Sequence, residues 1–270
     1  MSAFVGTLVR RGEPGYEEAR VGRVFNARRP ERYPAAVLLA ACADDVVAGV
    51  GLARDEGWKV SVRSGGHSWA VWSVRDDTLL IDLGAMKDIT YDEGTGIATA
   101  TPAVRGGEDL APFLEARGRM FPGGHCASVG LGGFLLQGGQ GWNSRQWGWG
   151  CENVVAVDVV TAGGELVRAD ARQNVDLYWA ARGAGPGFPG VVTRFHLKTY
   201  AKPAAFTQDT WTFALDDLEE LLSWLHDVLP GLDRIVEPVV AATQLPDVPL
   251  FEGVRRPEGP GAAAAHDGRV

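Results

Sequence analysis

The chain carries no surplus of positive charge. Its 26 lysines and arginines stand against 34 aspartates and glutamates, a formal net charge of −8. Nucleic acids and anionic membrane surfaces need a basic face, so neither is expected as a partner. No run approaches 18 apolar residues, and the opening MSAFVGTLVRRGEPGYEEAR has no apolar signal core. No membrane span is expected, and the expected location is the cytoplasm. Cysteine is scarce: Cys42, Cys126 and Cys151 make an odd count that fits no disulfide framework. Their spacing resembles no zinc site, so no metal is expected. The motifs G-x-x-x-x-G-K-[ST], H-E-x-x-H and G-x-S-x-G are all absent, which leaves nucleoside triphosphatases, zincins and α/β-hydrolases without support.

What is plentiful is glycine, at 36 of 270 residues, nearly twice the usual share of about 7%. The glycines gather at 123–150 and 183–190, so they mark particular loops and not a linker. A backbone without Cβ atoms lets a ligand approach closely. GPGFPG at 185–190 fits G-x-G-x-x-G, but it precedes a strand, whereas the dinucleotide fingerprint must open a helix. A Rossmann fold is therefore not expected.

The periodicity predicts a βαβ unit over 35–63: an AAVLLAA strand, a helix over ADDVVAGVGLARDEG with Asp44 and Asp45 in its first turn, and a WKVSVRS strand. TLLIDLGAM and GIATATPA read as further strands, and GGEDLAPFLEARG as one helix closed by Gly118. NVVAVDVVTAGGELVRA reads as a hairpin, DLYWAARG as a helix end and GVVTRFHLKTY as a strand. Residues 1–203 thus form an α+β domain. Residues 204–250 read as the start of a second one. There FTQDTWTFAL is a strand, DDLEELLSWLHDVLP an amphipathic helix capped at Asp216 and stopped by Pro230, and DRIVEPVVAAT one more strand. Residues 251–270 lose all periodicity and read as a disordered tail.

The stretch SVRSGGHSWA sets His67 in a glycine turn directly after an apolar strand. Catalytic base, metal ligand, buried histidine and cofactor attachment point are all open readings of it. The turn offers several backbone N–H groups, a nest that can hold an anion without any lysine. HCASVGLGGFLLQGGQGW at 125–142 supplies a second glycine loop, with Cys126 at its edge.

VSVRSGGHS, FPGGHCASVGLGGFLLQGGQGW, CENVVAVDVVTAGGEL and DLYWAARGAGPGFPGVVTRFHLKTY, in this order over roughly 30–200, resemble the flavin domain of the berberine bridge enzyme-like oxidoreductases. These belong to the wider vanillyl-alcohol-oxidase family. The resemblance implies an α+β fold: a p-cresol-methylhydroxylase-type (PCMH-type) FAD-binding domain of two α+β subdomains, then an incomplete substrate domain with antiparallel sheet and helices. It implies FAD bound covalently from His67 to the flavin 8α carbon. A subset of the family adds a second bond from a cysteine, and Cys126 stands at that position. The implied cofactor contacts are Arg63, Ser64, Gly65, Gly66 and Ser68 around His67, then Gly124, Val129, Gly130, Gly132, Gly133, Gln137 and Gly138. Further along the chain they are Glu152, Asn153, Val155 and Val192. Ser64, Gly65 and Gly66 would cradle the pyrophosphate.

Trp142, Trp147 and Trp149 either face a substrate or pack in the core. Phe134 stands where relatives often carry a flavin-contacting histidine. The chain is shorter than typical relatives, and the substrate-deprotonating base of the family comes from the part beyond residue 270. No catalytic base is therefore named, and the chain reads as C-terminally truncated. Two functions follow from the resemblance. One is an FAD-dependent oxidoreductase taking hydride from a C–H bond next to oxygen or nitrogen of a sugar, alcohol or secondary metabolite, with O₂ or another acceptor. The other is a non-catalytic flavin-binding fragment. Substrate identity and oligomeric state stay open.

Overall fold

A computed structural model describes residues 4–242 and the strand Ala264–Asp267. Backbone contacts divide the chain into two units, Met1–Lys202 and Pro203–Val270.

The first unit begins with β1 (Thr7–Arg10), α1 (Tyr16–Val21), β2 (Ala36–Leu39), α2 (Ala43–Asp55), β3 (Lys59–Arg63) and β4 (Thr78–Asp82). These build a four-stranded sheet ordered β1-β2-β4-β3, in which β2 and β3 both run parallel to β4. The predicted βαβ unit is there, with β4 inserted between its two strands. Alternation along β2 and β4 explains two separate cores. Ala36, Leu38, Leu79 and Ile81 face α2 and its Val46 and Val50, whereas Val37 and Leu80 face Tyr16, Ala19, Val24 and Val74. Asp45 does more than complement the dipole of α2. Its carboxylate accepts the N–H groups of Val5 (2.7 Å), Gly6 (2.9 Å) and Ala41 (2.8 Å), and these bonds outweigh burial and hold its pKa below the usual carboxylate value.

The chain continues through β5 (Ile89–Asp92), β6 (Ile97–Ala100), α3 (Ala111–Glu115), β7 (Arg119–Met120), α4 (Leu131–Leu136), α5 (Ser144–Trp147), β8 (Val154–Thr161), β9 (Leu166–Asp170), α6 (Val175–Ala180), β10 (Gly190–Lys198) and β11 (Tyr200–Ala201). A five-stranded antiparallel sheet runs β5-β6-β10-β8-β9. One face carries Val157, Val159, Phe195 and Leu197 against Leu114, Leu131 and Leu135. From the other face Val160 and Val191 join the α2 core, so α2 lies between the two sheets. The helix predicted over 106–117 is split. Residues 106–110 form one wide turn in which Leu110 donates to Arg105 and Ala111 to Gly106, five residues back, before α3 begins. Pro112 at the start of α3 has no N–H to give a regular ladder there.

On the antiparallel sheet Asp158 accepts from Arg168 Nε (2.8 Å) and lies 3.2 Å from His196 Nε2. Burial alone would raise its pKa, but the hydrogen bonds from His196 and Arg168 bring it down to about 2. A carboxylate with a depressed folded-state pKa stabilises above its ordinary value and loses that contribution as pH falls toward the folded one. Wild type is therefore expected to lose about 2 kcal/mol between pH 4 and pH 2 from this group. Asp158→Asn should lack that part of the acid limb and be less stable at pH 7. Urea unfolding of both proteins at pH 2.5, 4 and 7 checks this, and parallel pH curves would rule it out.

The second unit contains β12 (Asp209–Thr212), α7 (Leu218–Val228) and β13 (Ala264–Asp267), with β12 and β13 antiparallel. Helix α7 starts later than predicted: Asp216 lies in a short 3₁₀ turn, Leu215–Asp217, and no side chain caps the helix. Residues 233–242 form no strand. Two prolines account for this: Pro230 breaks the chain before the segment, and Pro238 removes a ladder donor within it. Of the tail predicted to be disordered, Ala264–Asp267 pairs with β12, and the rest of 251–270 lies outside the described residues.

Candidate functional site

Strand β3 ends at Arg63, and the chain passes into Ser64-Gly65-Gly66-His67-Ser68. The second glycine loop, 123–130, leads into α4. The two loops meet backbone to backbone. A Cβ on Gly65 would stand 2.6 Å from Gly130 N, and one on Gly130 would stand 2.8 Å from Gly65 Cα. Gly132, on the first turn of α4, lies as close to Ser64, since a Cβ there would meet Ser64 Oγ at 2.6 Å. No side chain fits at either junction. Gly66 adopts φ +74, a conformation L side chains rarely take, with the Arg23 carbonyl directly against it.

His67 is half-buried at this junction. Its Nε2 is 3.1 Å from Ser128 Oγ, and its ring stacks on Phe25 with centroids 4.6 Å apart and planes 14° apart. Burial lowers its pKa below the ordinary histidine value, against a smaller upward pull from Glu108, so the imidazole is neutral at pH 7. The turn exit is fixed too: Ser68 Oγ accepts from Trp72 N (3.1 Å), and Arg32 donates to the Ala70 (2.8 Å) and Val71 (2.9 Å) carbonyls. Among the described residues, none of the backbone N–H groups of Ser64 through Ser68 has a protein acceptor. The N–H groups of Cys126, Ala127 and Ser128 are likewise without one. Ser64–Ser68 are half-buried and Cys126 and Ala127 exposed, so these unclaimed donors stand open to acceptor oxygens from outside the chain.

Arg63 is corrected as a contact side chain. Its guanidinium turns into the core, donating to Asp82 (Nε, 2.7 Å), to the Arg20 carbonyl (2.5 Å) and to the Ala19 carbonyl. Asp82 also accepts from Arg23, whose other nitrogen donates to the Ser64 carbonyl (2.5 Å). Burial pulls the Arg63 pKa down, and Asp82 opposes it. The pair Arg23 and Asp82, which the sequence reading passed over, thus holds the turn from beneath.

Asn153 and Val192 likewise spend their side chains on the fold. Asn153 donates to the carbonyls of Trp147 (2.9 Å) and Trp149 (3.0 Å) and accepts from Tyr200 (2.6 Å), while Val192, on β10, packs in the core. Glu152 accepts from Trp149 N at 2.7 Å, Gln137 donates weakly to Gly133 at 3.3 Å, and Val155 is half-buried on β8. Gly124 lies against the Phe134 ring and Gly138 against the Trp149 ring, each within about one van der Waals contact of where a Cβ would be. Gly133 is exposed on α4, and Val129 accepts from Gly106 N at 2.9 Å. The tryptophans divide: Trp147 stacks on Tyr200 (4.5 Å, 2°), Trp142 meets His125 edge-on (4.2 Å), and Trp142 and Trp149 are exposed.

Cys126 is exposed at the loop edge, whereas Cys151 is buried, which pushes its thiol pKa up. Among the described residues there is no group of three or more His, Cys, Asp or Glu that could hold a metal, and no helix long and apolar enough to cross a membrane. The residues beyond the sequence reading are Ser128, Phe25, Arg23 and Asp82. Ser128 lay inside a quoted glycine loop and Asp82 inside the quoted strand TLLIDLGAM; Phe25 and Arg23 meet the turn from about forty residues upstream.

Residues 34–170 match the family described as FAD binding domain. The chain is 42% identical over 237 residues to janO, an FAD-linked oxidoreductase of Penicillium janthinellum, covering 88% of this chain and 53% of that protein. It is 40% identical to the xylooligosaccharide oxidase of Thermothelomyces thermophilus over 185 residues, 68% of this chain and 37% of that one. Among solved structures, 6-hydroxy-D-nicotine oxidase from Arthrobacter nicotinovorans superposes with a TM-score of 0.75 at 29% identity, covering 84% of this chain and 50% of that one. The BBE-like 1 protein of Physcomitrella patens gives 0.67 at 31% identity, covering 73% and 42%. The chain spans about half the length of the curated relatives it matches first.

Proposed function

The chain belongs to the berberine bridge enzyme-like FAD-linked oxidoreductases, with an FAD-binding domain of the PCMH type, and from that premise we propose that it is an FAD-dependent oxidase or dehydrogenase with covalently held cofactor. The observation that carries the reading is the junction itself. Two glycine loops touch without side chains, the N–H groups of Ser64–Ser68 and Cys126–Ser128 are unclaimed among the described residues, and a neutral imidazole is fixed at the junction. These residues fit FAD: the N–H rows of Ser64–Ser68 and Cys126–Ser128 would hold its pyrophosphate, and His67 would tether its ring, with Cys126 as a second link. When bound, FAD supplies a two-electron acceptor for hydride. Phe134, packed on the loop glycines, offers no hydrogen bond where a histidine would.

The substrate class is a sugar, alcohol or secondary metabolite with a C–H bond beside oxygen or nitrogen. The relatives named as xylooligosaccharide and carbohydrate oxidases support sugars and O₂ as the partners to test first. The segment from Pro203 on would open the substrate domain, and the unpaired cysteines suit a reducing cytoplasm. A flavin-holding unit without turnover is the second reading. What favours it is that, among the described residues, Glu108 is the one carboxylate acting on His67, and it acts only through its charge.

The test is to load the chain with FAD and add oligosaccharides and alcohols without oxygen, following the flavin absorbance. Bleaching that reverses on admitting O₂ supports the oxidase. Colour that never bleaches across the panel supports the flavin-holding unit, and a colourless protein ends both readings.

A further inference from the structure

Among the described residues, Ser128 is the one side chain that hydrogen-bonds His67, at 3.1 Å between Oγ and Nε2. It stands on fixed backbone. Ala127 O accepts from Gly107 N (3.0 Å) and Glu108 N (3.1 Å), Val129 O accepts from Gly106 N (2.9 Å), and Val129 N closes a turn onto Cys126 O (3.2 Å). One face of the imidazole is covered by Phe25, whose own N–H bonds the Gly66 carbonyl at 3.2 Å. Ring plane and rotation are therefore both determined, and among the described residues Nδ1 has no hydrogen-bond partner. A neutral imidazole has one N–H and one lone pair, and a hydroxyl can pair with Nε2 in either state because it both donates and accepts.

We infer that Ser128 is a positioning residue for the tether: its hydroxyl pairs with Nε2, first accepting from Nε2–H, and keeps the ring placed with the Nδ1 lone pair free to bond the flavin. The inference rests on the covalent reading above. His67 joins through Nδ1 to the 8α carbon, which gives up one hydrogen as a proton. The electron pair of that C–H bond passes by way of the ring system to dioxygen. Nε2, now on an alkylated imidazolium, releases a second proton, so two electrons and two protons account for one hydrogen peroxide. Nε2 thereby changes from donor to acceptor. A hydroxyl can follow this change, donating where it had accepted, which an alanine cannot do.

The experiment compares wild type, Ser128→Ala and Ser128→Thr as full-length protein loaded with FAD, measuring flavin in the acid-precipitated pellet over time. Ser128→Ala is expected to accumulate acid-stable flavin about tenfold more slowly, with total flavin before acid and melting temperature unchanged, and Ser128→Thr to restore the rate. Equal rates in wild type and Ser128→Ala overturn the inference and leave the covalent reading standing. A threonine variant as slow as alanine overturns it too, because shape and not the hydroxyl would then matter. A wild-type pellet without flavin removes the covalent reading and the inference with it. If Ser128→Ala binds no flavin, the ring ¹⁵N shifts of His67 in flavin-free wild type decide: protonated Nε2 supports the inference and protonated Nδ1 overturns it.

Discussion

Replacing His67 and Cys126 together by alanine is expected to move all of the flavin from the acid-precipitated protein to the supernatant, with cofactor still bound before the acid is added. The two halves of this outcome have different physical origins. Binding before acid comes from backbone, because the unclaimed N–H groups of Ser64–Ser68 and Cys126–Ser128 survive any change of side chain at 67 or 126. Hydrogen bonds to a charged acceptor contribute about 1.5–3 kcal/mol each, so a few of them give micromolar retention or better. Retention through acid comes only from covalent bonds, since denaturation destroys the cradle. The single variants then count those bonds. A His67→Ala pellet that stays yellow identifies a link through Cys126, and a colourless one makes His67 the single tether. Acid-stable flavin in the double variant would mean that another residue carries the bond and that the junction has been misread. Loss of the Phe25–His67 stack costs about 1 kcal/mol, too little to confuse unfolding with loss of the tether.

The parts of this site that were legible in the sequence are those written in consecutive residues. The continuous apolar runs in AAVLLAA and TLLIDLGAM were enough for β2 and β4, because both faces of that sheet are buried. The R-S-G-G-H turn was visible because glycine is the residue that permits both a positive φ at Gly66 and a bare backbone contact at Gly65. What holds the turn was not legible. Ser128 reaches His67 across 61 residues and Arg23 reaches Asp82 across 59, and no local rule links such positions. Arg63, a cofactor contact implied by the resemblance, has its guanidinium bound to a buried carboxylate 19 residues on, again a pairing that no local rule links. The second unit was the least legible, since α7 and β12 were visible as patterns but the pairing with Ala264–Asp267 joins segments more than fifty residues apart.

The largest loss of stability is expected from Asp82→Ala. Asp82 and Arg63 are each nearly inaccessible to solvent, and the carboxylate also accepts from Arg23 and, at 2.7 Å, from Gly84 N. Removing it strands the Arg63 guanidinium in the core with only the Ala19 and Arg20 carbonyls as acceptors. An uncompensated buried charge costs about 3–5 kcal/mol, and in a unit of roughly 200 residues each kcal/mol lowers the melting temperature by about 2–4 °C. A fall of roughly 10 °C or more is the expected reading in a thermal melt. The damage also reaches the cofactor loop, because Arg23 bridges Asp82 to the Ser64 carbonyl and loses its anchor. Flavin loading per folded molecule is therefore expected to fall along with stability. The double replacement Arg63→Met, Asp82→Leu separates the two effects. It removes both buried charges and is expected to melt above Asp82→Ala, yet it leaves Arg23 equally unanchored and should load flavin no better. If Asp82→Ala melts within 2–3 °C of wild type, Arg63 has found water or another acceptor. The ion pair would then not be what holds the floor of the His67 turn.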